Sequence, residues 1–189
     1  EVDAVLAPTG PPGAGQVAEV LPRTEAIAAV PGMVLRVGGA QVTVLSALPL
    51  AGSPGADQEE SSAENDGSVV SRIETGRTVV VATGDIELAG QAAVLRAPTP
   101  LAADVLIVPH HGSARQTAEL FAAVAAPVAL IGVGENTYGH PSAIALRELA
   151  RAGSTVFRTD TQRSLAVVPT DSGLEVPTER PGCAAPRLT

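Results

Sequence analysis

Apolar positions along this chain follow two rhythms. In one, short runs of valine, leucine and isoleucine stand between turn-forming residues and read as strands. These are "VDAVL" (2–6), "SVVSRIE" (68–74), "TVVVATG" (78–84), "DVLIV" (104–108), "VALIGV" (128–133), "TVFRT" (155–159) and "SLAVVP" (164–169). "MVLRVGGAQVTVLSAL" (33–48) reads as a hairpin turning at Gly38-Gly39, and Thr75-Gly76 joins the pair at 68–84.

The second rhythm is alanine-rich with helical spacing. It predicts helices over "AGQVAEVL" (14–21), "ELAGQAAVLR" (87–96), "ARQTAELFAAVA" (114–125) and "SAIALRELARAG" (142–153). Ser113 is placed to cap the third of these. Ser142 opens the fourth and Gly153 stops it. The polar, turn-rich segment 51–67 reads as an exposed loop, and the last dozen residues as a frayed tail. Strand pairs come first, then strands alternating with helices. That order predicts a layered α/β protein with helices packed on a sheet. The chain's 189 residues are enough for one such domain, with no internal repeat and no obvious linker.

Composition narrows the function. The net charge is −8, and all twelve basic residues are scattered arginines, so long-range attraction for nucleic acid is absent. Any DNA contact must come from a local basic strip or from bound cations. With Phe121, Tyr138 and Phe157 as the aromatics, an extended base-stacking platform is not expected. Cys183 is alone, which excludes an internal disulfide and a CxxC metal site. No apolar run approaches the roughly 18 residues of a membrane span, and no signal peptide is visible.

Four segments at the carboxyl ends of predicted strands hold the candidate chemistry, where α/β folds tend to place their sites. They are "TGDIE" (83–87), "PHHGS" (109–113), "ENTYGHP" (135–141) and "RTD" (158–160), and they contain all three histidines. Taken singly, a Gly-Asp is more often a turn, a His-His pair a surface or capping feature, and a Gly-His-Pro a loop. Together they put a carboxylate and imidazoles on neighbouring strand ends, a donor set suited to Zn²⁺ or Mn²⁺. Ser113 and Asn136 are placed to hold ligands or a phosphate by hydrogen bonds.

Residues 65–95, 103–116 and 127–167 resemble the C-terminal metallo-β-lactamase-like domain of the ComEC/Rec2 DNA-uptake channel family, most specifically in the combination of "PHHGS", "YGHP" and "RTD". The resemblance implies an αββα sandwich over residues 1–170, followed by a terminal strand and disordered tail over 171–189. It implies a role in natural transformation and a divalent-metal hydrolase acting on DNA, either single-stranded or the degraded strand. The domain would lie outside the cell membrane, beside the channel portion of the same protein. By match to the motifs, Asp85, His110, His111 and His140 would be metal ligands. Asp85, His111 and Ser113 would be catalytic. The family's H-x-D-x-D-H motif does not occur here. The expectation is that the chain, which starts at Glu1 rather than Met, begins downstream of that motif; decay of the motif within residues 6–21 is the alternative. Gln91 and Arg163 stand where the family usually has Glu and Gly. Half a ligand cage should bind metal weakly, so this chain alone is expected to have little or no nuclease activity. The competing readings are an inactive DNA-guiding or structural module, and a free-standing hydrolase of another ester.

Overall fold

A computed structural model describes residues 4–9, 25–49 and 62–179. Strand β1 (Ala4–Ala7) pairs in parallel with β2 (Glu25–Ala28). Strands β3 (Val34–Val37) and β4 (Ala40–Ser46) form the hairpin expected at Gly38-Gly39. Helix α1 (Ser62–Asp66) leads to the antiparallel pair β5 (Val70–Thr75) and β6 (Thr78–Ala82). Helices and strands then alternate: α2 (Leu88–Leu95), β7 (Val105–Ile107), a 3₁₀ turn over Pro109–Gly112, α3 (Ala118–Val124), β8 (Val128–Ile131), α4 (Ala143–Arg151), β9 (Thr155–Arg158) and the short α5 (Thr159–Gln162). A hairpin of β10 (Val168–Thr170) and β11 (Gly173–Glu175) follows.

Seven strands, β3 to β9, lie side by side in chain order in one mixed sheet. The first four are antiparallel because tight turns connect β3 to β4 and β5 to β6. The last four are parallel, each joined to the next by a helical crossover. The architecture is therefore α/β with a central mixed sheet, as its strand and helix order predicts. Alternation along the strands divides the apolar residues between two faces. Leu45, Val81, Leu106 and Ala129 join Val94 of α2, Leu120 and Phe121 of α3 and Leu149 of α4 in the main core. On the opposite face Val105, Val128 and Phe157 pack with Leu165, Leu174 and Val176, while Val44 packs with Leu6 and Ala29. That second face is covered by the two small sheets. Among the described residues the helices of the main core lie on the first face.

Three expectations need correction. Residues 62–66 of the segment read as exposed loop are helical, and Asp66 is buried because its carboxylate accepts hydrogen bonds from the α2 N-terminus. Helix α3 starts at Ala118 instead of Ala114, with Thr117 extended at its N-cap. The cause is tertiary: buried Gln91 donates to Arg115 O at 2.8 Å and accepts from Thr117 N at 2.8 Å, holding 115–117 as a loop on α2. Ser113 accordingly closes the 3₁₀ turn and does not cap the helix. In 164–169 the strand begins only at Val168, and Leu165 makes a single bridge to Thr178. The expected helix at 14–21 and most of the frayed tail fall outside the described residues.

Candidate functional site

The parallel strands all point one way, so the loops leaving β6, β7, β8 and β9 meet at one end of the sheet. Threonine 83 donates its hydroxyl to Ile107 O at 2.6 Å and ties the first two strand ends together. The chain then turns at Gly84, with φ of +59°. A Cβ there would lie 2.7 Å from Ser68 Cβ, a clash that glycine avoids. The same approach lets Asp85 N donate to Ser68 Oγ at 3.0 Å and displays the Asp85 side chain at the surface.

His110 and His111 both have left-handed backbone, with φ of 45° and 52°. Such a conformation costs roughly 1–2 kcal/mol per non-glycine residue. It is held by His110 N donating to Gly84 O and Ser113 N donating to His110 O, at 3.1 and 2.9 Å. The result is that the two adjacent rings part company. His111 turns outward, its side chain 54% exposed. Its Nδ1 lies 2.6 Å from the Gly132 carbonyl, which can only accept, so Nδ1 carries the hydrogen. Nε2 is left facing Asp85 Oδ1 at 3.7 Å. His110 turns inward, with Nδ1 3.2 Å from Glu87 Oε1.

The loop after β8 supplies the third histidine. Asn136 accepts from His140 N at 3.0 Å and donates to His140 O at 2.9 Å, closing the loop on itself. Ser142 N donates to Gly112 O at 2.8 Å, and a Cβ on Gly112 would meet Pro141 Cβ at 2.7 Å, so the histidine-bearing loops touch backbone to backbone. His140 stands edge-on to His110, ring centroids 5.4 Å apart. Burial, followed by the neighbouring imidazoles of His110 and His111, holds His140 below the ordinary histidine range. Tyr138 lies exposed beside it, centroids 6.0 Å apart.

The structure thus brings Asp85 to His111 and His110 to His140. Ser113 is buried; its Oγ accepts from Arg115 N at 3.3 Å within its own loop. Arg158 and Asp160 of "RTD" pair with each other, and the guanidinium's hydrogen bond is the leading cause of the lowered Asp160 pKa. Sequence reasoning missed Glu87, which is only 4% exposed and lies against His110. Arg115 pairs with its Oε2 and Asn65 donates to its Oε1 at 3.3 Å. The available signal was a second carboxylate in "TGDIE", two residues after Asp85 and at the mouth of α2.

A divalent cation can be tested against these donors. Two ligands each about 2.1 Å from one tetrahedral ion lie roughly 3.4 Å apart. Asp85 Oδ1 and His111 Nε2, at 3.7 Å, come close to that spacing. The Nδ1–H of His111 on a backbone carbonyl is the outer contact that a metal-ligating histidine commonly makes. The pair therefore fits as one corner of a metal site. Among the described residues, no group of three or more His, Cys, Asp or Glu side chains forms a ready cage.

No family model matches the chain. It is 37% identical over 131 residues to ComE operon protein 3 of Bacillus subtilis (strain 168). That alignment takes in 68% of this chain but only 16% of the relative's length. Among solved structures, the metallo-beta-lactamase fold protein YhfI from Bacillus subtilis is similar over 73% of this chain and 54% of its own, at 17% identity and a TM-score of 0.43. No helix among the described residues is long and apolar enough to cross a membrane.

Proposed function

Over its aligned stretch the chain belongs to the ComEC/Rec2 family with ComE operon protein 3, and from that premise we propose that it is a metal-dependent phosphodiesterase module acting on DNA during uptake. The observation that carries the reading is the Asp85–His111 pair at the carboxyl end of the parallel strands, with the second carboxylate–imidazole contact, Glu87–His110, behind it. Asp85 and His111 would hold the cation. A bound divalent ion supplies charge neutralisation at a phosphodiester and acidifies water. The chain's own contribution is orientation. Gly132 O fixes the His111 tautomer, Ser68 fixes the backbone under Asp85, and Asn136 fixes the loop that presents His140. His140, kept neutral by burial and by its two imidazole neighbours, is suited to offer a lone pair at the site. An acidic protein tolerates a polyanionic substrate when the attraction comes from the cation rather than from the surface. The proposed setting is a membrane-associated uptake protein, with this module on the outer side beside the channel.

The test is cleavage of end-labelled single- and double-stranded DNA by the purified chain, with Mn²⁺ or Zn²⁺ titrated from micromolar to millimolar. Slow cleavage that needs the metal, stops with chelator and vanishes in Asp85→Ala is the expected result. Cleavage equal in wild type and Asp85→Ala, or neither cleavage nor metal binding at any metal concentration, would sink the enzymatic reading and leave a DNA-guiding module. Metal binding by calorimetry is expected to be weak; tight stoichiometric binding would show that the donor set has been underestimated.

A further inference from the structure

We propose that Glu87 is a positioning residue of this site. Its carboxylate accepts the Nδ1–H of His110, fixing that ring's tautomer and leaving its Nε2 lone pair as the working nitrogen. Three independent features converge on this assignment. First, Glu87 is almost fully buried, and its place is set twice over. Asp66 Oδ1 accepts from Glu87 N at 2.7 Å and from Gly90 N at 2.8 Å, anchoring the start of α2. The carboxylate itself is gripped by Arg115 and Asn65. A side chain held at both ends is suited to orient a neighbour. Second, His110 adopts a strained left-handed backbone that turns its ring inward, with φ of 45° and ψ of 50°. Backbone strain of this kind persists where the surroundings enforce it, and it concentrates at functional positions. Third, His110 Nδ1 is buried and makes no aligned hydrogen bond, although Glu87 Oε1 is only 3.2 Å away. The distance is already right for a hydrogen bond, and a rotation of the ring supplies the angle. The adjacent ring solves the same problem differently. His111 is fixed by a neutral carbonyl, Gly132 O, so the two histidines present their Nε2 atoms from differently charged supports.

The activity arm of the test rests on the proposed function; the spectroscopic arm does not. The full chain is labelled with ¹⁵N-histidine, and long-range ¹H–¹⁵N spectra are recorded at pH 9. Its three ring systems are assigned by replacing each histidine in turn. His110 is expected as the Nδ1–H tautomer in the wild type. Glu87→Ala should move it toward Nε2–H and reduce metal-dependent cleavage about 10- to 100-fold. Glu87→Gln, whose amide oxygen can still accept, should restore the tautomer and part of the activity. A wild-type His110 in the Nε2–H form overturns the proposal even if no variant folds. So does a folded Glu87→Ala whose His110 nitrogen shifts match the wild type, because Glu87 would then only cross-link loops. The expected tautomers with neither cleavage nor metal binding would support the positioning role and overturn the catalytic reading instead.

Discussion

The antiparallel strands β3–β5 and the parallel strands β6–β9 share one sheet and one set of apolar residue types, yet all candidate chemistry lies at the ends of the parallel set. Where the antiparallel strands turn back directly, the two-residue turns Gly38-Gly39 and Gly76-Arg77 bring no histidine or carboxylate of their own. The outer strand β3 even leaves Val34 and Val37 facing water. The parallel strands must each cross over, so each carries a loop at the same end of the sheet before its helix begins. Those loops are long enough to bend, and they contain the positive-φ positions Gly84, His110, His111, Gly112 and Gly139. Strand direction, more than residue type, decides which half of the sheet can host a site.

The largest test of that contrast is Phe121→Ala. Phe121 is buried between the helices and the parallel strands, and its truncation should cost about 3–5 kcal/mol in urea unfolding. A loss under 1 kcal/mol would mean that the helix layer is not what holds the parallel half in place. Asp66→Ala comes next. It strips the buried acceptor from Glu87 N and Gly90 N and should cost about 2 kcal/mol. The Asp85–Glu87 loop should then exchange its amide hydrogens faster, while the β3–β4 hairpin is unchanged. Ser142→Ala removes a cap that accepts from Ala145 N at 3.1 Å and should cost about 1 kcal/mol.

Acid titration gives a slope instead of a step. His140 resists protonation in the fold, so the unfolded chain takes up that proton first as pH drops below about 6.5. Metal-free protein should therefore lose stability on acidification from that point, and His140→Asn should flatten the decline. An unchanged slope would place the acid sensitivity elsewhere. Smallest of all, Val37→Ala, at a side chain 68% exposed on β3, should stay within about 0.5 kcal/mol of wild type. A larger loss would show that the sheet edge is covered in solution.

Strand placement was legible because runs such as "DVLIV" and "VALIGV" can be read locally. Their neighbours Leu106 and Ala129 then fall on the helix face by simple alternation. Helix α4 was equally plain, since Ser142 and Gly153 mark its limits. The start of α3 was not, because the residues that unwind 114–117 belong to Gln91, 24 to 26 positions away. The same holds within the site. Asp85 and the histidines announce themselves by type. That His110 and His111 diverge depends on two left-handed residues and on Gly132 and Glu87, which adjacency in sequence does not encode. Glu87 stands out only through Arg115 and Asn65, which come from distant positions in the chain to surround it.

Gln91 has one more consequence. Fully buried, its amide offers hydrogens to Arg115 O and Gln116 Oε1, and its oxygen to both the amide and the hydroxyl of Thr117. A carboxylate in the same place could serve Thr117 but would have nothing to give the Arg115 carbonyl unless it first picked up a proton. The amide makes the clamp under the histidine loop indifferent to acidity. Exchanging it for glutamate would turn a permanent latch into one that opens and closes with the medium.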